Sequence, residues 1–213
     1  MSVVVKAANL SQVERRLGYM KEKAPKVLKM AVNDTAKKAR SRLAKEAKKK
    51  YVVKVSGFNK VMDIKLATNN KPEAVIHASG KKIPLIKFSY KEGELGAGKY
   101  FNPTLRRYQT GAGGISATGK TLKGTRFKAS SSARLKWFVA KMKNGHTGIF
   151  QRTGVPRHQG SRDNPELEQK MGASIPEMIG NEKHVYGVVE PHIQDDLKEA
   201  VNRHVMRALR GEI

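Results

Sequence analysis

Between residues 25 and 50, apolar or small side chains recur at Val27, Leu28, Ala31, Val32, Thr35, Ala36, Ala39, Leu43 and Ala47. This spacing follows the 3.6-residue period, so the segment is predicted as one long amphipathic helix with a stripe to bury. Pro25 suits its first turn, where the missing N–H would have had no partner. The opposite face carries Lys26, Lys37 and Lys48. Eleven residues make about three full turns, so these ammonium groups line up along the helix, flanked by Arg40 and Lys45. Such a row is either a solvated face or a face turned toward a polyanion.

The rest of the chain offers short elements to cover that stripe. Residues 3–6 (VVVK) read as a strand. Residues 9–12 then supply an N-cap region for a helix running to about residue 23. Residues 62–66 and 74–78 are predicted as an antiparallel pair around a turn at 68–72, with Ile64 and Leu66 set against Ala74, Ile76 and Ala78. Residues 83–88 are a further apolar stretch, whose Pro84 implies an edge strand or the start of a strand. Residues 135–142 and 148–152 are predicted as a hairpin about Asn144-Gly145, a strong turn signal. Residues 155–168 read as loop, and 170–179 as a strand leading into a helical turn.

A final helix is expected from Pro191, with Ile193, Leu197, Ala200, Val201, His204, Val205, Ala208 and Leu209 on one face. Glu190, Asp195 and Asp196 near its start and Arg203, Arg207 and Arg210 near its end suit the helix dipole. Gly211 ends it. Residues 91–132 differ in character: Gly, Ser, Thr and Lys dominate, and no period survives. They are predicted as an extended loop or arm that orders only against a partner.

Charge narrows the function classes. The 213 residues include 43 Lys and Arg against 18 Asp and Glu, a net charge of +25. Residues 21–60 carry +11 and residues 81–162 carry +16, whereas residues 163–213 carry −4. A basic body implies a polyanionic partner, and an acidic end allows copies to meet head to tail. Cysteine is absent, which removes disulfides, thiol nucleophiles and Cys-based zinc sites. No apolar run approaches the length of a membrane span, and residues 1–12 lack a leader's apolar core. The expectation is a soluble protein made inside the cell, with no membrane partner.

Residues 114–121 (GISATGKT) match the phosphate-binding pattern G-x-x-x-x-G-K-[ST]. That chemistry needs a buried strand before the loop and a helix after it, and neither flank supplies one. The match is expected to be inert. The six histidines are scattered without metal-site spacing, and His204 on the apolar face of the last helix reads as a packed residue. The acid pair Asp195-Asp196 is explained by the helix dipole. No catalytic set, metal site or cofactor is expected. Aromatic residues are 6% of the chain, too few for a stacking platform, so any contact with nucleic acid is expected at phosphates and without sequence preference.

Several segments, in order, resemble the phage minor tail protein Z family, the tail completion proteins. They are the N-terminal strand with the helix after Leu10, Ala31-Val32-Asn33-Asp34-Thr35-Ala36, Val52-Val53-Lys54, and Ile64-Lys65-Leu66-Ala67-Thr68. Ile83-Pro84-Leu85-Ile86-Lys87-Phe88 and the hairpin at residues 138–152 (FVAKMKNGHTGIFQR) follow. Ser174-Ile175-Pro176-Glu177-Met178 and the C-terminal helix complete the series. The similarity covers roughly residues 3–90 and 134–210, and nothing carries over to 91–132.

The resemblance implies an α+β fold: a small, mostly antiparallel sheet packed against a long basic helix and a C-terminal helix. It implies one tail-completion domain over residues 1–213, with 91–132 as a loop or arm. It also implies a virion protein at the head-proximal end of a phage tail, made in the host cytoplasm, that helps head–tail joining around the DNA channel. Implied partners are a homohexameric ring of copies, tail terminator or tube proteins, head–tail connector proteins and passing genomic DNA. DNA-facing candidates are Lys26, Lys37, Lys48, Arg106, Arg107, Lys123, Arg126 and Lys128. Subunit-contact candidates are Glu177, Asp195, Asp196 and Glu199. The competing reading is a free, non-specific nucleic-acid-binding protein of the nucleoid or ribosome, supported by the same charge. Against it stand the acidic C-terminal helix and the lack of stacking aromatics.

Overall fold

The computed structural model describes residues 1–7, 10–53, 57–93, 99–102, 107–110, 115–120, 137–142, 144–156 and 165–213. In chain order the first elements are β1 (Ser2–Lys6), α1 (Leu10–Leu17), a 3₁₀ helix (Gly18–Lys23) and α2 (Ala24–Lys50). A 3₁₀ turn (Phe58–Val61), β2 (Met62–Lys65), β3 (Glu73–Ala78) and β4 (Lys82–Pro84) follow, then a second 3₁₀ turn at Leu85–Lys87. Next come β5 (Ser89–Gly93), β6 (Lys99–Asn102), β7 (Arg107–Thr110), β8 (Ile115–Lys120) and β9 (Trp137–Lys141). The chain closes with β10 (Thr147–Pro156), β11 (Pro165–Gln169), β12 (Met171–Ser174), α3 (Ile175–Ile179), a π-turn (Glu182–Tyr186) and α4 (Gly187–Leu209).

The fold is α+β, in two compact units: Met1–Lys50, Ser56–Lys81 and Ser174–Ile213 in one, Tyr51–Val55 and Lys82–Ala173 in the other. In the first, an antiparallel sheet runs β1-β3-β2. β1 pairs with β3 from Ser2↔His77 to Lys6↔Glu73, and β2 pairs with it through Ile64↔Ile76. Alternation puts Val3, Val5, Ala74, Ile76 and Ala78 on the buried face. α2 packs on that face and against α4, so it buries more than one stripe. Six of its buried positions are alanines, small enough to bring both neighbours close. Val13 and Leu17 of α1 join Val27, Leu28, Val205 and Ala208 in a cluster at the other end.

α4 begins earlier than its proline suggests. The backbone turns helical at Gly187, continuing from the π-turn, and Pro191 is the fifth residue. So close to the start, a proline removes a single helical bond. At the far end Gly211 has φ +75°, its N–H donates to Ala208, and Glu212 N–H donates to Arg207. This is a Schellman stop.

The second unit holds a five-stranded sheet ordered β11-β10-β9-β8-β5, with β12-β4 and β6-β7 as separate pairs. The expected hairpin is β9-β10, in register from Thr147↔Lys141 to Gln151↔Trp137. Its turn places Gly145 at φ +83°, with Met142 N–H donating to His146 C=O. Within 91–132, the described residues include the paired strands β6 and β7 and the strand β8. One expectation needs correction here: within 155–168, expected as loop, β10 runs on to Pro156 and β11 begins at Pro165. The strand signal is weak because Gly, Thr and Lys dilute apolar alternation, while backbone pairing needs none of it.

Candidate interaction surfaces

α2 presents Lys26, Lys37 and Lys48 as an exposed row, on the side away from most of its buried residues, with buried Ala44 between Lys37 and Lys48. The ion pairs of α2 lysines among the described residues involve other positions: Lys38 with Asp196 and Glu199, and Lys49 and Lys50 with Glu46. The row is therefore solvated basic surface. Of the other basic candidates, Arg107 lies at the start of β7, its backbone in register with Asn102. Arg106, Lys123, Arg126 and Lys128 fall outside the described residues.

The four acidic candidates separate. Asp196 is buried, and Arg42 Nη2 donates to its Oδ1 at 3.0 Å; Arg42 Nε lies 3.0 Å from Oδ2 as an ion pair, but Oδ2 accepts no hydrogen bond. Lys38 Nζ adds a contact at 3.4 Å. Two turns into α4, this carboxylate answers cations of α2, and not the helix start. Glu177 is held in a capping box: its carboxylate accepts from Ser174 N–H at 2.7 Å, while Glu177 N–H donates to Ser174 Oγ at 3.3 Å. Asp195 and Glu199 are exposed, and among the described residues their ion pairs are long, to Lys198 and Lys38, both at 3.8 Å.

A second charged contact crosses the same helix pair. Arg203 Nη2 lies 3.0 Å and His204 Nε2 2.9 Å from one oxygen of Asp34 on α2. Burial alone raises the Asp34 carboxyl. The hydrogen bond and charge of His204, then those of Arg203, outweigh it and hold the group below its ordinary value. Next to Asp34, Asn33 clamps Ala67 by accepting from its N–H at 2.7 Å and donating to its C=O at 3.3 Å. Thr35 Oγ1 donates back to Ala31 C=O at 2.8 Å. Thus Asn33, Asp34 and Thr35 each make a defined contact. Sequence reading found the run and missed the pairing, because a basic residue 169 positions away leaves no local period.

On α4, Tyr186 lies just before the helix and donates to Glu190 at 3.2 Å. Burial first, then the charge of Glu190 and this hydrogen bond, push its hydroxyl pKa up.

The phosphate-loop pattern is resolved by backbone. Residues 115–120 of it form β8, laddered to β5 from Ser89↔Lys120 to Gly93↔Ser116. An extended strand points successive N–H groups to opposite sides, so it cannot wrap a phosphate. Gly114 and Thr121 lie outside the described residues. Among the described residues, no cluster of three or more His, Asp or Glu side chains could hold a metal ion. No described helix is long and apolar enough to cross a membrane.

The family model of prophage minor tail protein Z (GPZ) matches residues 9–211. The chain belongs to that family. No curated protein and no solved structure matches it. As a member of the minor tail protein Z family it is a phage tail protein with a structural role, and its place is the tail of the virion. The Asn33–Asp34–Thr35 contacts and the hairpin at β9-β10 then read as parts of a scaffold, built for shape and for surfaces.

Proposed function

We propose that this protein completes the head-proximal end of a phage tail, helps the tail join the head, and works as a closed ring, of six copies, around the DNA path. The observation that carries the reading is the family match over residues 9–211 together with a net charge of +25. The +16 on residues 81–162 supports a DNA-facing part, with Arg106, Arg107, Lys123, Arg126 and Lys128 as its candidates. The copy number rests on the sixfold tubes of tails of this kind. Tail terminator or tube proteins on one side and head–tail connector proteins on the other are the expected neighbours. No catalysis and no cofactor are invoked.

Electron microscopy of intact tails tests this directly: a ring at the end that meets the head is expected. One copy per particle, or protein at the opposite end, overturns it. DNA binding by the purified chain should be sequence-blind and salt-sensitive. With about five phosphate contacts, log K against log salt should slope near −4.5, at ~0.9 per contact. A strong preference for one sequence that persists at high salt would favour a free nucleic-acid-binding protein instead.

A further inference from the structure

The outward side of α4 has a pattern that its composition hides. Val188, His192, Asp195, Glu199, Met206 and Leu209, with Asn202 between, are all exposed and follow alternating steps of four and three. That is the spacing of a seam along which a second helix lies. The seam is apolar at both ends, with Val188 43%, Met206 49% and Leu209 41% exposed, and acidic at its centre. Among the described residues Asp195 and Glu199 have ion pairs only at 3.8 Å, and the nearby Arg16 of α1 spends a hydrogen bond on Asn202, at 2.6 Å, so the acidic centre keeps capacity for another cation.

Two copies of α4 cannot cover each other well. A two-fold antiparallel pairing would bring the Asp195 and Glu199 carboxylates of both chains together at the middle, a like-charge arrangement that opposes association. The seam needs a helix of similar length with cations at its centre. Among the described residues α2 has that form: Lys26 to Lys48 spans about 33 Å and Val188 to Leu209 about 32 Å at 1.5 Å per residue. Lys37 stands midway along the row, so either direction of packing sets it against Asp195 and Glu199. The end lysines then lay their aliphatic stems over Val188 or over Met206 and Leu209 while their ammonium groups reach water.

We infer that the α4 seam of one copy docks on the Lys26–Lys37–Lys48 row of the next copy. This rests on the ring reading, and it assigns the α2 row to a neighbouring subunit and not to DNA. The contact joins two different surfaces, so it repeats head to tail, as ring closure requires. Its charged centre makes it weak in isolation and salt-sensitive, which suits a protein that assembles only on a tail.

The chain has no cysteine, so paired cysteines report the contact cleanly. Tails carrying Lys37→Cys with Glu199→Cys, once oxidised, should give a ladder of covalent multimers on a non-reducing gel, and each single variant should stay monomeric. Asp195→Lys with Glu199→Lys should lower incorporation into tails by about a hundredfold, the scale of a like-charge clash across an interface. Adding Lys37→Glu and Lys48→Glu should restore it. Dimers from Glu199→Cys alone would show α4 against α4 and overturn the inference. So would an absent ladder in tails whose ring is visible by microscopy, and so would Lys37→Glu abolishing DNA binding while incorporation stays normal. Tails with no ring would instead defeat the functional reading on which the inference rests.

Discussion

Asp195 and Asp196 are adjacent on α4, about 100° apart around its axis, yet Asp196 is buried and Asp195 stands in solvent. On the inner side, Asp196 lies buried against Arg42 and Lys38, and His204 and Arg203 meet Asp34. On the outer side, Asp195 and Glu199 stand in solvent with distant partners. The inner contacts are reciprocal: α4 gives an acid to cations of α2, and α2 gives an acid to basic groups of α4. That exchange favours one register of two helices whose other buried residues are mainly apolar and carry no such directional contact. The outer charges add little to it: Glu199 reaches Lys38 of α2 only at 3.8 Å, and Asp195 pairs within α4. Charge count cannot distinguish the two sets; each inner contact is anchored on one buried group, Asp196 or His204, and the outer pair has none.

The largest test of this contrast is to strand the inner acid. Replacing Lys38 and Arg42 together by Met leaves a buried carboxylate without cations, and should destabilise the chain by about 3 kcal/mol in urea unfolding. Reversing all four acidic candidates to Lys would confuse matters, because Asp196→Lys sets a third cation beside Lys38 and Arg42. A loss below half a kcal/mol on the double change would mean that the inner pair orders nothing.

Asp34 gives a smaller, pH-dependent effect. Its carboxyl is held below the ordinary value in the folded state, so the unfolded chain takes up its proton first as pH falls. The stabilisation is complete above about pH 5, well past the usual carboxyl value near 3.9, and is lost as pH drops through the lower folded value. Asp34→Asn should therefore be less stable than the parent at pH 7, and the gap should close toward pH 2. A gap that stays constant with pH would remove the electrostatic explanation.

The outer side should barely register in folding. Asp195→Ala, Glu199→Ala and Lys37→Ala should each stay within about 0.5 kcal/mol of the parent while reducing assembly into tails. Smallest of all, Lys120→Ala should change neither stability nor ATP turnover above background, since its backbone is a rung of the β5-β8 ladder. A Lys120-dependent ATPase would reopen the enzyme question.

What was legible in the sequence follows from range. α2, the β2-β3 pair with Ile64 against Ile76, and the Asn144-Gly145 turn all arise from neighbours a few residues apart, and each was readable. The start of α4 is hidden from a sequence reading because Pro191 is a strong punctuation mark, although helices tolerate proline in their opening turns. The strands between residues 89 and 120 were hidden by a composition that lacks apolar alternation. The site itself was half readable. The row of lysines follows from helical arithmetic, whereas the split between Asp195 and Asp196 depends on which side of α4 meets α2.

The layout of the first unit also sets a timetable. Its β1, α1 and α2 are made first, its α4 last, and the Asp34–His204 contact closes a loop of 170 residues. At roughly 5–20 residues per second of synthesis, α2 waits on the order of ten to thirty seconds for its partner. During that interval Val27, Leu28 and Val32, fully buried in the finished protein, have no α4 to cover them. The alanines that let α2 pack closely also keep this nascent surface less sticky than a leucine-rich helix would be. A chain truncated before the last turns of α4 would keep that surface uncovered, because Val205 and Ala208 are part of its cover.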